Sequence, residues 1–447
     1  MAIARPRGGS FFSGLILIFV GALLLLHNYH GFDLGDAFKH WWPLVLILFG
    51  AVKLYDRAMA NRGGDPGAGN ITAGEVFLAL GLIALVGMVV AVDIGKRNFG
   101  PEWSPGDEHS FDLDVAPKTI APDARITVHN GRGSISVRSS DTMEIRVSGK
   151  KNAHAWSETD AKRITDPISV EIAKSGNEYD IHPTGVKGGD SRVSLDLEIE
   201  VPQKAVLTIR NEKGDISVSD IAAPVTISSI TGNIEIRDTG GDVNIDSKKG
   251  DVKISDTKGN VKLSGHGGQV DVISATGSFT LDGEFYGPIR AENIAKGVRF
   301  VSRRTDLTLS QLGGHMEASP GNLEVADVPG SLTVRAQDDI TIENVTGKLK
   351  IDNRHGNVHV RFSAAPKEDV EIDNSSAEIE LSLPESASFE ITGDCSNCGI
   401  ESEFSEDALK ITEHSGDHHI EGKYGSGHGP KISLKTSHGT IAIRKTS

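Results

Sequence analysis

From Leu207 to Leu281 the chain sets two apolar residues around one polar residue at a constant step of nine. The pairs are Leu207/Ile209, Ile216/Val218, Val225/Ile227, Ile234/Ile236, Val243/Ile245, Val252/Ile254, Val261/Leu263, Val270/Val272 and Phe279/Leu281. Apolar–polar–apolar is a period of two, the pattern of a strand with one buried face. A Gly-Asp dipeptide often leads into the pair, as at Gly214-Asp215, Gly241-Asp242 and Gly250-Asp251. Gly reaches positive φ without a Cβ clash and Asp caps turns, so each unit reads as one short strand and one tight corner. The beat continues at steps of seven to ten through Ile289/Ala291, Val298/Phe300, Leu307/Leu309, Met316/Ala318, Leu323/Val325, Leu332/Val334, Ile340/Ile342, Leu349/Ile351 and Val358/Val360. Echoes stand earlier at Ile126/Val128 and Ile135/Val137, and later at Val370/Ile372, Ile379/Leu381, Phe389/Ile391, Ile432/Leu434 and Ile441/Ile443.

Nine residues cannot bury a core, so neighbouring units must stack and share one. Two arrangements fit: an antiparallel meander, or a solenoid in which each strand pairs with its equivalent one coil away. The pair keeps its distance from the Gly corner, and hairpin dipeptides such as Asn-Gly are scarce. The expectation is therefore an all-β repeat domain, a single-stranded parallel β-solenoid (β-helix). With two units per coil, the eighteen pairs from 207 to 358 make nine coils. At ~4.8 Å per coil the stack is roughly 43 Å tall. Residues 151–165 break the beat and read as a short helix or a cover over an open end. Val193–Val201 reads as a longer alternating strand, stopped by Pro202.

A different pattern fills residues 1–94, where apolar runs predict an α-helical transmembrane region with three helices, at about 11–27, 41–55 and 75–93. The first has basic residues ahead of it but no A-x-A-like cleavage site before His27, which argues against a signal peptide. Residues 95–122, with Pro101, Pro105, Pro117 and Pro122, read as a polar linker, and 123–447 as the solenoid domain. Basic residues favour the N-terminus inside: Arg5, Arg7, Lys53, Arg57 and Arg62 lie on one side, against Lys39, Lys96 and Arg97 on the other. Three spans then place the solenoid outside the cytoplasmic membrane.

Charge sharpens the division. Residues 1–94 are balanced, so the formal charge of −15 belongs to the remainder. An acidic exterior argues against nucleic acid or anionic lipid as its main partner and leaves membrane lipid, through the helices, as the first contact, with envelope proteins or polysaccharide beyond it.

The segment from Gly14 to Gly50, with Trp41-Trp42-Pro43, resembles the membrane region of Lia-type envelope-stress proteins. Leu197–Pro202, Leu207–Ile216, Gly232-Asn-Ile234 and Ile432–Ile441 are similar to a bacterial adhesin family of unknown function whose members are β-helical. The resemblance implies the fold and an adhesin-like or stress-sensing role. It brings no catalytic residues.

Cys395 and Cys398 are the two cysteines, in Asp394-Cys-Ser-Asn-Cys-Gly399. Outside the cytoplasm a local disulfide is the expected state. A redox centre would want basic neighbours or a helix N-terminus, and Asp394 precedes the pair. Zinc would need two further ligands, from His414, His418, His419 or His428, without a fixed spacing to support it. Corner residues Asp215, Asp242 and Asp251 lack the Gly-Gly-x-Gly-x-Asp arrays of calcium β-rolls and read as turn caps. The competing function is a polysaccharide-active β-helix enzyme, which needs aromatic platforms and clustered acids. Between 207 and 362 the aromatics are Phe279, Phe285, Tyr286, Phe300 and Phe362, and the one charge cluster is Arg303-Arg304 with Asp306. The sequence thus predicts no catalytic, cofactor or metal site, and a non-enzymatic envelope protein.

Overall fold

The computed structural model describes residues 106–186, 191–405, 407–426 and 428–446. These belong to one unit of the chain, residues 104–447. The three expected membrane helices lie outside the described residues. No helix among the described residues is long and apolar enough to cross a membrane.

The chain winds between two sheets. Strands Val206–Lys213, Val225–Thr231, Val243–Ser247, Val261–Gly267 and Phe279–Phe285 stack in parallel on one, Leu207 opposite Val225, then Val243, Val261 and Phe279. Strands Ile216–Ser219, Ile234–Thr239, Val252–Thr257, Val270–Ala275 and Ile289–Ile294 stack on the other. A strand therefore pairs with the strand two units away, as expected for a solenoid of two units per coil. Every inward pair from Leu207/Ile209 to Val358/Val360 is buried, the least so being Ala318 at 8%. Both inner faces share one continuous apolar core.

One coil runs backward. Val298–Val301 turns through a hairpin into Asp306–Leu309, which pairs antiparallel with it and with Leu332–Ala336. Leu312–Ser319 likewise pairs antiparallel with Ile289–Ile294 and with Asn322–Val328. From Asn322 the forward winding and the parallel pairing resume. The expectation of parallel pairing throughout 207–358 is corrected here. Strand alternation is blind to chain direction, so Leu307/Leu309 and Met316/Ala318 face the core equally well in reverse. The turns set the direction. Ser302 Oγ accepts from the backbone N–H groups of Arg304 and Thr305 at 3.2 and 3.1 Å, and Pro320-Gly321 joins Ser319 to Asn322 with Gly321 at φ 88°.

The two corners of a coil differ, so the structural repeat is eighteen residues. Corners leaving the first-named sheet carry glycines of positive φ, such as Gly232 and Gly250 (143° and 137°). A Cβ at Gly250 would collide with the carbonyl oxygen of Gly232 one coil below. Corners leaving the other sheet turn on a left-handed residue instead: Asp220, Asp238, Asp256, Ser274 and Asn293, at φ 52–62°. Asp and Asn side chains tolerate that region best after Gly.

Both ends are closed by added elements. Asp107–Thr119, expected within the linker, is a strand pairing antiparallel with Glu144–Ala155. Its Phe111/Leu113/Val115 alternation supplies a half-buried face that its charged neighbours conceal in the sequence. The pattern break at 151–165 resolves into the end of that second strand and the helix Glu158–Thr165. Ser157 caps the helix, accepting from Asp160 N–H at 3.2 Å, and Ala161 packs on Ala153 and Ala155. At the far end Phe389, Phe404 and Tyr424 close the core, with ring centroids 4.7–5.6 Å apart.

The last coil is not the outermost. Lys431–Thr436 lies between Val370–Asn374 and Phe389–Ser396, and Thr440–Thr446 lies between Ile379–Pro384 and Gly399–Ser402. Lys445 Nζ donates to Glu385 at 2.8 Å and Arg444 to Glu401 at 2.9 Å, tying the final strand to segments that precede it by many residues. The Lys445 hydrogen bond holds the Glu385 carboxyl below its ordinary range. Its contribution to stability is complete at neutral pH and is lost as pH falls through the depressed value.

Candidate interaction surface

Corner carboxylates work between coils. Asp215 Oδ1 accepts the Asn233 N–H at 2.8 Å, Asn233 Oδ1 accepts Asp251 N–H at 3.0 Å, and Asp251 Oδ1 accepts Gln269 N–H at 2.8 Å. On the opposite corner Asp242 caps Asn260 and Asn260 caps Ser278, at 2.7 and 3.0 Å. The expected turn-capping role takes this form: each side chain satisfies a backbone donor one coil further on. Inside the corners runs a second ladder, of buried Asn side chains. Asn211 Nδ2 donates to the carbonyls of Gly214 and Gly133, and Asn353 and Asn374 do the same for Gly356. The signal was present as a buried polar residue two places after the apolar pair, Leu207-x-Ile209-x-Asn211 and Leu349-x-Ile351-x-Asn353.

The outward faces are laced by ion pairs. Arg290 meets Glu317 at 3.0 Å, Lys350 meets Glu371 at 2.7 Å, and Glu235 is held by Arg237 and by Lys253. The Arg237 hydrogen bond keeps the Glu235 carboxyl below its ordinary range. Exposed pairs of this kind contribute little individually, and their regular spacing mainly fixes the side chains.

Two hollows interrupt these faces. A shallow groove of about 440 Å³ lies between Val115–Lys118 and the hairpin Ser169–Thr184. Lys118 Nζ donates there to the Ile172 carbonyl at 2.6 Å and stands 6.0 Å from the Tyr179 ring. A smaller hollow of about 120 Å³ lies over the reversed coil, lined by Arg299, Asp306, Thr308, Arg335, Lys350 and Asp352. Asp306 is engaged by Arg299 at 3.0 Å and Asp352 by Arg335 at 3.1 Å. Each of these carboxylates has a basic partner. Of the aromatics considered for sugar platforms, Phe279, Phe300 and Phe362 are buried and Phe285 packs against the core. Tyr286 is exposed. Arg303 and Arg304 project from the reversed coil's hairpin, Arg303 toward Glu284 and Arg304 toward Asp338.

The cysteine motif sits at the capped end. Cys395 is buried in the column Asn353, Asn374, Thr436, Cys395, and its Cα lies 5.5 Å from that of Cys398, within reach of a disulfide. The neighbouring histidines are scattered. His419 Nδ1 meets Asp394 at 2.7 Å, His418 lies 3.7 Å from Glu413, and His428 is held by the Ser426 carbonyl. Among the described residues no group of three or more His, Cys, Asp or Glu side chains could hold a metal ion.

Residues 11–54 match the LiaI-LiaF-like transmembrane region, and residues 294–444 match Toastrack DUF4097. The most regular coils, 207–281, precede that second match but continue the same two sheets into it. None of the curated proteins matches the chain. Among solved structures, a "putative cell adhesion protein" from Clostridium sporogenes is 9% identical, with a TM-score of 0.19, over 76% of this chain and 100% of that one. A "putative adhesin" from Bacteroides fragilis is 11% identical, TM-score 0.22, over 75% and 97%. A "putative lipid binding protein" from Parabacteroides distasonis is 12% identical, TM-score 0.17, over 76% and 98%. At such scores these likenesses carry no functional weight. Residues 11–54 are thus similar to the LiaI-LiaF-like transmembrane region, and residues 294–444 to the Toastrack domain.

Proposed function

We propose that the protein is a non-enzymatic, multi-pass component of the cytoplasmic membrane whose extracytoplasmic solenoid mediates interaction at the cell envelope, as an adhesin-like module or as a sensor or scaffold for envelope stress. The observation that carries this reading is the union of a membrane-region match with a solenoid whose outward polar groups are tied to one another in ladders. Such a domain offers a long, stiff surface, which suits recognition of extended partners. The basic residues flanking the predicted spans support the outward orientation.

Protease added to spheroplasts tests the orientation. The domain is expected to be degraded or shed before the membrane is lysed, and its survival until lysis overturns the outward placement. A re-entrant segment at about 41–55 would produce that result by reducing the spans to two.

The same orientation bears on the cysteines. Cys395–Cys398 is expected to be oxidised in protein taken from its native compartment. Thiol labelling under denaturing conditions should modify neither residue until a reductant is added. Labelling of both without reduction refutes the disulfide.

A further inference from the structure

One corner of the solenoid departs from the charge of the rest. Register aligns Ser229 with Ser247, and His266 with Glu284, so that Ile230, Lys248, His266 and Glu284 form a column up the glycine corners. Lys249 stands beside Lys248. Both lysines and His266 are exposed, and among the described residues none of the three has an ion-pair partner. At the next coil the spacing between paired strands lengthens, Val270 aligning with Ile289, where earlier steps are eighteen. The extra residue falls in the corner that presents Tyr286, 73% exposed. Arg303 continues the line one layer on, donating its backbone N–H to Glu284 at 2.9 Å and leaving its guanidinium 89% exposed.

The strip is narrow. On one side runs the outward column Ser228, Asp246, Ser264, Asp282 of the adjoining sheet. On the other runs the corner ladder of Asp215, Asn233 and Asp251. Screening confines each charge to about 8 Å at physiological salt, so a ligand on the strip responds to its lysines and to these immediate flanks more than to the net charge of −15. A flat anionic surface such as a bilayer would meet Asp246, Asp282, Asp215 and Asp251 together with the lysines. A single extended chain along the column would meet the lysines, His266 and Arg303, with Glu284 its one carboxylate, already engaged by Arg303 at 3.7 Å. Lys248 and Lys249 stand on one coil and Arg303 three layers on, at ~4.8 Å per layer, a line that an extended polymer with repeating anions can follow. An exposed Tyr ring offers a stacking face for a sugar.

We propose that Lys248, Lys249, His266, Tyr286 and Arg303 form a binding strip for a linear acidic glycan, with the lysines contacting its anionic groups and Tyr286 stacking on a sugar ring. This deepens the envelope reading and rests on it, because such polymers lie outside the membrane.

The test uses full-length protein in nanodiscs of zwitterionic lipid, with polygalacturonate as the acidic glycan and dextran as its neutral counterpart. The protein is expected to bind polygalacturonate in a salt-dependent manner and to ignore dextran. The double variant Lys248→Glu/Lys249→Glu should bind about tenfold more weakly and with a shallower salt dependence. Tyr286→Ala should bind about two- to tenfold more weakly with the salt dependence unchanged. These residues are exposed, and unchanged melting of each variant separates lost binding from lost folding. Equal binding by wild type and the lysine variant overturns the strip, as does equal affinity for dextran. Stronger binding to single-stranded DNA or to anionic vesicles overturns the glycan assignment. Failure of the strip in protein that the protease assay places outside leaves the envelope reading intact. A cytoplasmic domain removes the reading itself.

Discussion

Replacing Ile254 with Asp is expected to lower the melting temperature of the domain by at least about 10 °C or to abolish its cooperative transition. Ile254 is fully buried and lies in register between Ile236 below and Val272 above. Losing its burial costs about 1.5–3 kcal/mol, and an unpaired carboxylate in that apolar layer adds several more. The sum is comparable to the 5–15 kcal/mol that holds a typical domain together. For a domain of this size each kcal/mol moves the midpoint by roughly 2–4 °C. Solenoid coils touch only their neighbours, so the damage would open the stack at that layer while the capped ends persist longer. Lys253→Asp is the control. Lys253 points outward, where it meets Glu235 at 3.5 Å, and its replacement should change stability by about 1 kcal/mol at most. Thermal denaturation followed by circular dichroism checks both. An Ile254→Asp protein melting within a few degrees of wild type would show that the layer is not the continuous core described here.

The contrast between Ile254 and Lys253 also explains what could be read from the sequence. A strand's inward and outward positions are written directly in the period of two, and the pair from Leu207 to Val360 needed no further information. The period of nine stopped short of the true repeat. The Asp220, Asp238 and Asp256 series, at steps of eighteen, distinguishes the two corners and was legible in principle as a left-handed Asx position. The backward coil was hidden for a stricter reason. Met316/Ala318 and Leu307/Leu309 keep their spacing in either direction, and only Pro320-Gly321 and the Ser302 turn carry the reversal. Tyr286 was visible as an outlying aromatic. Its place two residues past Glu284, which aligns with His266, depends on register across coils, which no local pattern specifies.

The order of layers at the C-terminal end was likewise beyond local reading. It makes removal of the last coil the other large effect to expect. Phe389/Ile391 and Ile432/Leu434 carry the same spacing, so either coil could in principle pair with Val370/Ile372. In the structure the final coil does so, inserted between the coil of residues 370–384 and that of 389–402. Ending the chain after Gly429 deletes Ile432, Leu434, Ile441 and Ile443, all buried to 1% exposure or less. At about 1.5–3 kcal/mol each, the burial lost is on the order of 6–12 kcal/mol, against a total stability of similar size. The clamps from Lys445 to Glu385 and from Arg444 to Glu401 go with it. The expected result is a midpoint lowered by more than about 10 °C and early proteolysis within residues 385–428, since that segment would lose its inner neighbour. A truncated protein that melts near the full-length value and resists protease would mean that the coil of residues 389–402 had moved inward to pair with Val370/Ile372. The inserted coil would then be dispensable, and the layer order a matter of connection length alone.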